Sequence, residues 1–142
     1  MDPLDLVREK FANDAFANQF GIILDDLTES TVQMHMELQP ELCNFYGRPH
    51  GGAIYALADA AFSVIGNNSN NLSVALECSI NYHSSPNPGQ LLYVEGRRIH
   101  ETRHIGVFLF TLYTQDNEKQ NLVATMKSTL YRTGKPIQEE ES

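Results

Sequence analysis

The sequence predicts an α+β domain in which a strongly curved antiparallel sheet wraps around one long apolar helix. Three observations predict it. The segment AIYALADAAFSVIG holds five alanines, one leucine and no β-branched run, which marks the only long helix of the chain, roughly Gly51–Gly66. After it, residues 72–82, 91–100, 105–115 and 122–132 read as strands with short connections, and parallel pairing would require long crossovers. Finally, 142 residues suit one domain, expected over 1–135, with an acidic, frayed tail at 136–142.

Each element has its own signal. In the long helix, Ile54, Leu57, Ala58, Ala61 and Ile65 form a wide apolar stripe, while Ala53, Ala56 and Ala60 oppose it with small side chains. A surface helix normally shows a polar face, so this one is expected to be buried on more than one side. Leu4, Leu6, Val7 and Phe11 recur at helical spacing over 3–12, and a second helical turn is expected over 13–20, stopped by Gly21. Residues 22–27 and 31–39 form a predicted hairpin, with Val32, Met34, Met36 and Leu38 on one face. PELCNFYGRPHGG is a loop, and DNEKQN separates the last two strands. Between 72 and 82, Val74, Leu76, Cys78, Ile80 and Tyr82 are expected to share one face. Met34, Met36, Phe62, Phe108 and Phe110 read as core or interface packing. An open sheet leaves two edges, and edge-to-edge dimerisation would cover one.

Charge narrows the function. Net charge is -8; residues 1–90 hold 3 basic against 11 acidic side chains, residues 91–135 hold 7 against 4, and Glu139–Glu141 add three more acids. That balance disfavours nucleic acid but leaves room for a small phosphate-bearing ligand on a local basic patch. No apolar run is long enough for a membrane helix, and the first ten residues lack the apolar core of a secretory signal. Cys43 and Cys78 form neither a CxxC site nor a disulfide framework, so a cytoplasmic location is expected.

Asp59 lies in the middle of an otherwise uncharged helix. Burying a carboxylate costs several kcal/mol unless something compensates, and that cost suits a group with a chemical task; an interface fixture is the alternative. Just upstream, His50–Gly51–Gly52 opens the helix, where glycines permit close approach of a ligand to unpaired N–H groups. The helix dipole favours negative charge there, as on an oxyanion. Asn44 stands six residues before His50, and Asp59 nine after it.

The run from Asn44 through FYGRP, His50–Gly51–Gly52 and AIYALA to Asp59 resembles the hotdog-fold acyl-CoA thioesterases of the phenylacetate-pathway (PaaI-like) group. The resemblance continues through SINYHSSPNPGQ and LVATMKSTLYRTG and covers about residues 15–135. It implies a hotdog fold, homodimers at minimum and dimers of dimers, with active sites at the dimer interface. It further implies that Asp59 is nucleophile or general base and that the Gly51 N–H polarises the thioester carbonyl. His50 and Asn44 would orient the thioester or water, with Asp59 from one subunit and Gly51 and Asn44 from the other. No resident cofactor is implied; coenzyme A enters as part of the substrate. One departure is Ala75, near the place where some relatives hold water with serine or threonine.

Arg97, Arg98, Arg103 and His104, with His100 nearby, form a cationic spot. By the same resemblance they would meet the phosphates of coenzyme A; Lys127, Arg132 and Lys135 are less specific candidates. His100–Glu101–Thr102–Arg103–His104 also spells HExxH, but between two strand-like runs its histidines share no helical face, so no metal site is expected. The alternatives to a thioesterase are a hotdog-fold hydratase or dehydratase and a non-catalytic acyl-CoA-binding or sensor protein.

Overall fold

The computed structural model describes residues 1–137. Helices α1 (Pro3–Ala12) and α2 (Ala15–Phe20) precede strands β1 (Ile23–Leu27) and β2 (Thr31–Glu37). A single 3-10 turn at Pro40–Leu42 leads to the long helix α3 (Gly51–Gly66). Strands β3 (Ser73–Tyr82), β4 (Leu91–Glu101), β5 (Ile105–Asp116) and β6 (Lys119–Arg132) complete the order. The six strands form one antiparallel sheet in the order β1-β2-β4-β5-β6-β3, so β1 and β3 are its edges.

Local chemistry explains the helix ends. Asp2 accepts the Leu4 N–H at 2.8 Å ahead of Pro3, and Asp14 accepts the Ala17 N–H at 2.9 Å, so each short helix starts on a carboxylate cap. Gly21 ends α2 at φ 67°, a left-handed cap that glycine adopts without steric cost. The core lies between α3 and the inner face of the sheet. Met34, Met36, Leu57, Leu92, Phe108, Phe110, Leu112 and Met126 are all buried there, which places Met34, Met36, Phe108 and Phe110 in packing roles.

Two sequence expectations need correction. In β3 the register slips between Ala75 and Glu77, making Leu76 the extra residue of a β-bulge. Ser73 and Ala75 therefore pair with buried Arg132 and Leu130 on the helix side, and Cys78, Ile80 and Tyr82 follow on that side after the bulge. Val74, opposite Tyr131, faces away instead of joining them. DNEKQN is mostly strand: β5 and β6 stay paired to Asp116 and Lys119, and the turn is tightened by Asn117 at φ 53°. Near the chain's end, Ile137 packs against the core and donates its N–H to Asn70 Oδ1 at 3.0 Å; residues 138–142 of the expected acidic tail lie outside the described residues.

Candidate active site

α3 is buried on most of its circumference, including Ala53, Ala56 and Ala60. It retains one outward stripe, Gly52, Tyr55, Asp59, Ser63 and Asn67, spaced at three or four residues. Asp59 is thus not enclosed within the subunit, contrary to the expectation of a buried carboxylate; it stands at the exposed seam between α3 and edge strand β3. A cavity of about 200 Å³ opens there, lined by Asp59, Phe62, Ser63, Ser73, Ala75 and Leu130 among others. The bulge turns Ala75 into this cavity. Ser63 donates its hydroxyl proton to the Ala60 carbonyl at 2.8 Å, so toward the cavity its oxygen offers lone pairs. The surroundings raise the Asp59 pKa above the ordinary carboxylate value, first through lost hydration and then through repulsion from Asp14.

The other end of the site is the start of α3. His50 is its N-cap, and His50 Nδ1 accepts the Gly52 N–H at 2.8 Å. A neutral imidazole accepting at Nδ1 carries its proton on Nε2, leaving a donor directed away from the helix. The Gly51 N–H donates to no group among the described residues, whereas its carbonyl accepts from the Tyr82 hydroxyl at 2.9 Å. One free N–H, the helix dipole and a neighbouring ring N–H form a place for developing negative charge.

Asn44 shapes the loop that delivers this end. Its Oδ1 accepts the N–H groups of Tyr46 at 2.9 Å and Arg48 at 3.1 Å, so only its amide NH₂ is left for another partner. Arg48 ties the loop down, donating to Ser85 Oγ at 3.1 Å and the Pro86 carbonyl at 2.6 Å. On this anchored loop Phe45 and Tyr46 stand 90% and 77% exposed.

Asn44, His50 and Gly51 gather at one end of α3, but Asp59 lies eight residues further on. At 1.5 Å per residue that is about 12 Å along the helix axis. A carboxylate and an oxyanion donor acting on one carbonyl must both lie within hydrogen-bonding reach of it, so a single chain does not assemble the set.

The expected basic patch divides. Arg97, opposite Leu109, lies on the outer face of the sheet. Arg98 pairs with Glu101 at 3.1 Å and donates to the Glu29 carbonyl, so it is engaged within the fold. Arg103 is exposed in the β4–β5 turn, beside His104, whose ring stacks on Tyr131. Arg132 is buried, paired with Glu101 at 2.6 Å and donating to the Gly66 carbonyl at the end of α3, which removes it from the ligand candidates. In HETRH, His100 and Glu101 end β4 and His104 sits in the turn, while Glu101 is taken by the two arginines.

Four neighbours of the site went unrecognised in the sequence. Tyr55 and Ser63 flank Asp59 at i−4 and i+4, a spacing that could have flagged them. The Tyr55 pKa is pushed up to about 12, chiefly by its hydrogen bond with Cys78 and then by burial. Tyr82 and Asp14 reach the site only through tertiary packing, for which no local signal exists.

With this geometry in view, the likeness to known proteins is specific. The thioesterase superfamily model matches residues 46–120, more than half of the chain. The chain belongs to that superfamily. It is 27% identical over 127 residues to the acyl-coenzyme A thioesterase PaaI of Escherichia coli K12, covering 89% of each protein. The solved E. coli PaaI structure superposes with a TM-score of 0.89 at 24% identity, over 96% of this chain and 97% of that one, which establishes the hotdog fold. A Streptococcus mutans UA159 protein, smu.793, solved bound to acetyl CoA, matches at TM-score 0.74 and 28% identity over 81% and 90% of the two chains.

Proposed function

We propose that this superfamily member hydrolyses acyl-CoA thioesters to a free acid and coenzyme A at sites shared between two subunits. The observation that carries the proposal is the pairing of an unused Gly51 N–H at the start of α3 with a carboxylate about 12 Å further along the same helix. Two subunits joined side by side along β3 bring the start of one helix toward the middle of the other.

In this reading Asp59 of one subunit attacks the thioester carbon directly or takes a proton from the attacking water. Charge then moves onto the carbonyl oxygen, held by the Gly51 N–H of the other subunit with His50 Nε2–H beside it. Collapse of the adduct breaks the C–S bond and releases the thiolate, which takes up a proton. In the direct route, water subsequently cleaves the anhydride formed on Asp59. Asn44 contributes its remaining NH₂ as an orienting donor. Arg103 and His104, with Arg97, serve the phosphates of coenzyme A; Arg98 contributes only by supporting that turn through Glu101. The protein works as a homodimer, further paired into a dimer of dimers, in the cytoplasm.

The acyl-CoA assignment draws on the likeness to E. coli PaaI and to the protein bound to acetyl CoA. Its test is release of free thiol from a panel of acyl-CoA esters by the wild type and by Asp59→Asn. The substitution keeps the shape but removes the basic oxygen, so kcat is expected to fall at least ~100-fold with the dimer intact. Near-normal kcat in a folded Asp59→Asn dimer would reject the assignment.

A further inference from the structure

Beside the Asp59 cavity lies a second one, of about 260 Å³, between α1 and α3. Val7, Phe11, Val64, Leu72 and Ile137 give it mainly apolar walls, with Lys10 and Asp14 at the rim. The two cavities share Ser63 and Asn67, the next two residues of the outward stripe after Asp59. Those steps of four residues run about 6 Å and then about 12 Å from the carboxylate along the helix, so the cavities lie in line. Among the described residues this space is unfilled although α1 is amphipathic: Leu6 and Val7 are buried, while Phe11 in its last turn is only partly covered. Leu72 also remains 40% exposed at the cleft.

We infer that the cleft between α1 and α3 receives the distal part of the acyl group, so that the protein acts on acyl chains long enough to extend past Ser63 and selects them through α1 and Leu72. The inference rests on the acyl-CoA reading above and specifies its substrate class. The thioester carbon sits at Asp59, the chain passes Ser63 and Asn67, and its end leaves water between Phe11, Val64 and Leu72. Each methylene buried there adds to transition-state binding, at the modest discrimination per methylene typical of apolar pockets.

The test uses Leu72, which is exposed enough to be changed without disturbing the core. Leu72→Trp fills the cleft, and Leu72→Glu places a charge in it. Hydrolysis of acetyl-, hexanoyl- and decanoyl-CoA is followed by thiol release, and binding of S-ethyl-, S-hexyl- and S-decyl-CoA thioethers by calorimetry. In the wild type, kcat/KM and thioether affinity are expected to rise with chain length. Both variants are expected to lose at least tenfold with the two longer chains in both measurements, while the acetyl and ethyl compounds change less than twofold. Chain-length dependence that survives in both variants, or a loss equal for all chains, would overturn the inference. Thioether affinity that rises with length and falls in the variants, without turnover of any ester, would support the cleft and reject hydrolysis.

Discussion

The two edges of the sheet are finished in opposite ways. β1 is five residues long, carries Asp25 and Asp26, and breaks register with β2 between Leu24 and Asp26. His35 holds Asp25 at 2.7 Å, fixing a charge at that edge. Short length, charge and irregular register are the devices by which an edge avoids pairing with another chain. β3 has ten residues and leaves Val74 47%, Leu76 58% and Tyr82 50% exposed. β3 also carries a charge, Glu77, and the bulge at Leu76, but its greater length and exposed apolar side chains leave it the more open to pairing, and it runs beside the Asp59 cavity. β1 is the edge less suited to a partner; β3 is the one at which the proposed shared site calls for one.

The largest effect expected from this contrast comes from charging each edge in turn. Leu76→Asp should yield a monomer by analytical ultracentrifugation and lower thioesterase activity at least ~100-fold, because the proposed shared site leaves an isolated chain with half of it. Ile23→Asp, at an exposed position of β1, should leave assembly and rate unchanged. Equal behaviour of the two variants would remove the distinction between the edges.

A smaller effect is expected at the cap of α3. A Cβ at Gly52 would lie 3.0 Å from His50 Nδ1 and 3.3 Å from its Cε1, so Gly52→Ala displaces the ring by a few tenths of an ångström and weakens its bond to the Gly52 N–H. Losing an N-cap typically costs about 1 kcal/mol, and replacing a helical glycine by alanine returns roughly 0.5–1 kcal/mol, so Tm should change little. kcat should fall roughly tenfold if His50 Nε2–H is aimed by that bond. By contrast, a Cβ at Gly51 meets the Tyr82 ring at an ordinary 3.5 Å. An unchanged kcat would restrict His50 to capping.

The subtlest expectation concerns pH. In its proposed role Asp59 must be ionised, and its pKa is raised by dehydration and by Asp14, so activity should be lost on acidification earlier than for an ordinary carboxylate. Asp14→Asn retains an oxygen to cap α2 but removes the repulsion, and should move the acidic limb of kcat/KM to lower pH. The stability sign is opposite to that of a salt-bridged acid. With the folded pKa above the unfolded one, ionisation of Asp59 opposes folding, a cost absent at low pH and complete above the raised pKa. Asp59→Asn should therefore unfold at no lower temperature than the wild type at pH 7, as scanning calorimetry would show.

Much of this was legible in the sequence because the relevant signals are periodic or local. β2 alternates without interruption, so its buried face could be assigned residue by residue, and the glycines after His50 announce the start of α3. What failed depended on register and side-chain pairing that the residue types alone do not show. A bulge at Leu76 leaves the alternation of residue types intact while reversing the side on which Val74 falls. Arg98 and Arg132 looked like ligand-binding charges until Glu101 was found between them. Asp59 looked buried because its helical neighbours are alanines, yet the seam it occupies is set by where β3 passes.

The shared site is tested most directly by mixing two inactive variants. Gly51→Pro deletes the single N–H assigned to the oxyanion at a helix position that accepts proline, and His50, at φ -66° and ψ 137°, already has the extended backbone required before it. Asp59→Asn deletes the carboxylate. Each alone should be inactive, and subunit exchange between them should form mixed dimers with one intact and one doubly defective site. Activity should then recover to roughly a quarter of wild type at equal amounts. No recovery, with mixed dimers demonstrated by mass spectrometry, would show that Gly51 and Asp59 do not act across two chains.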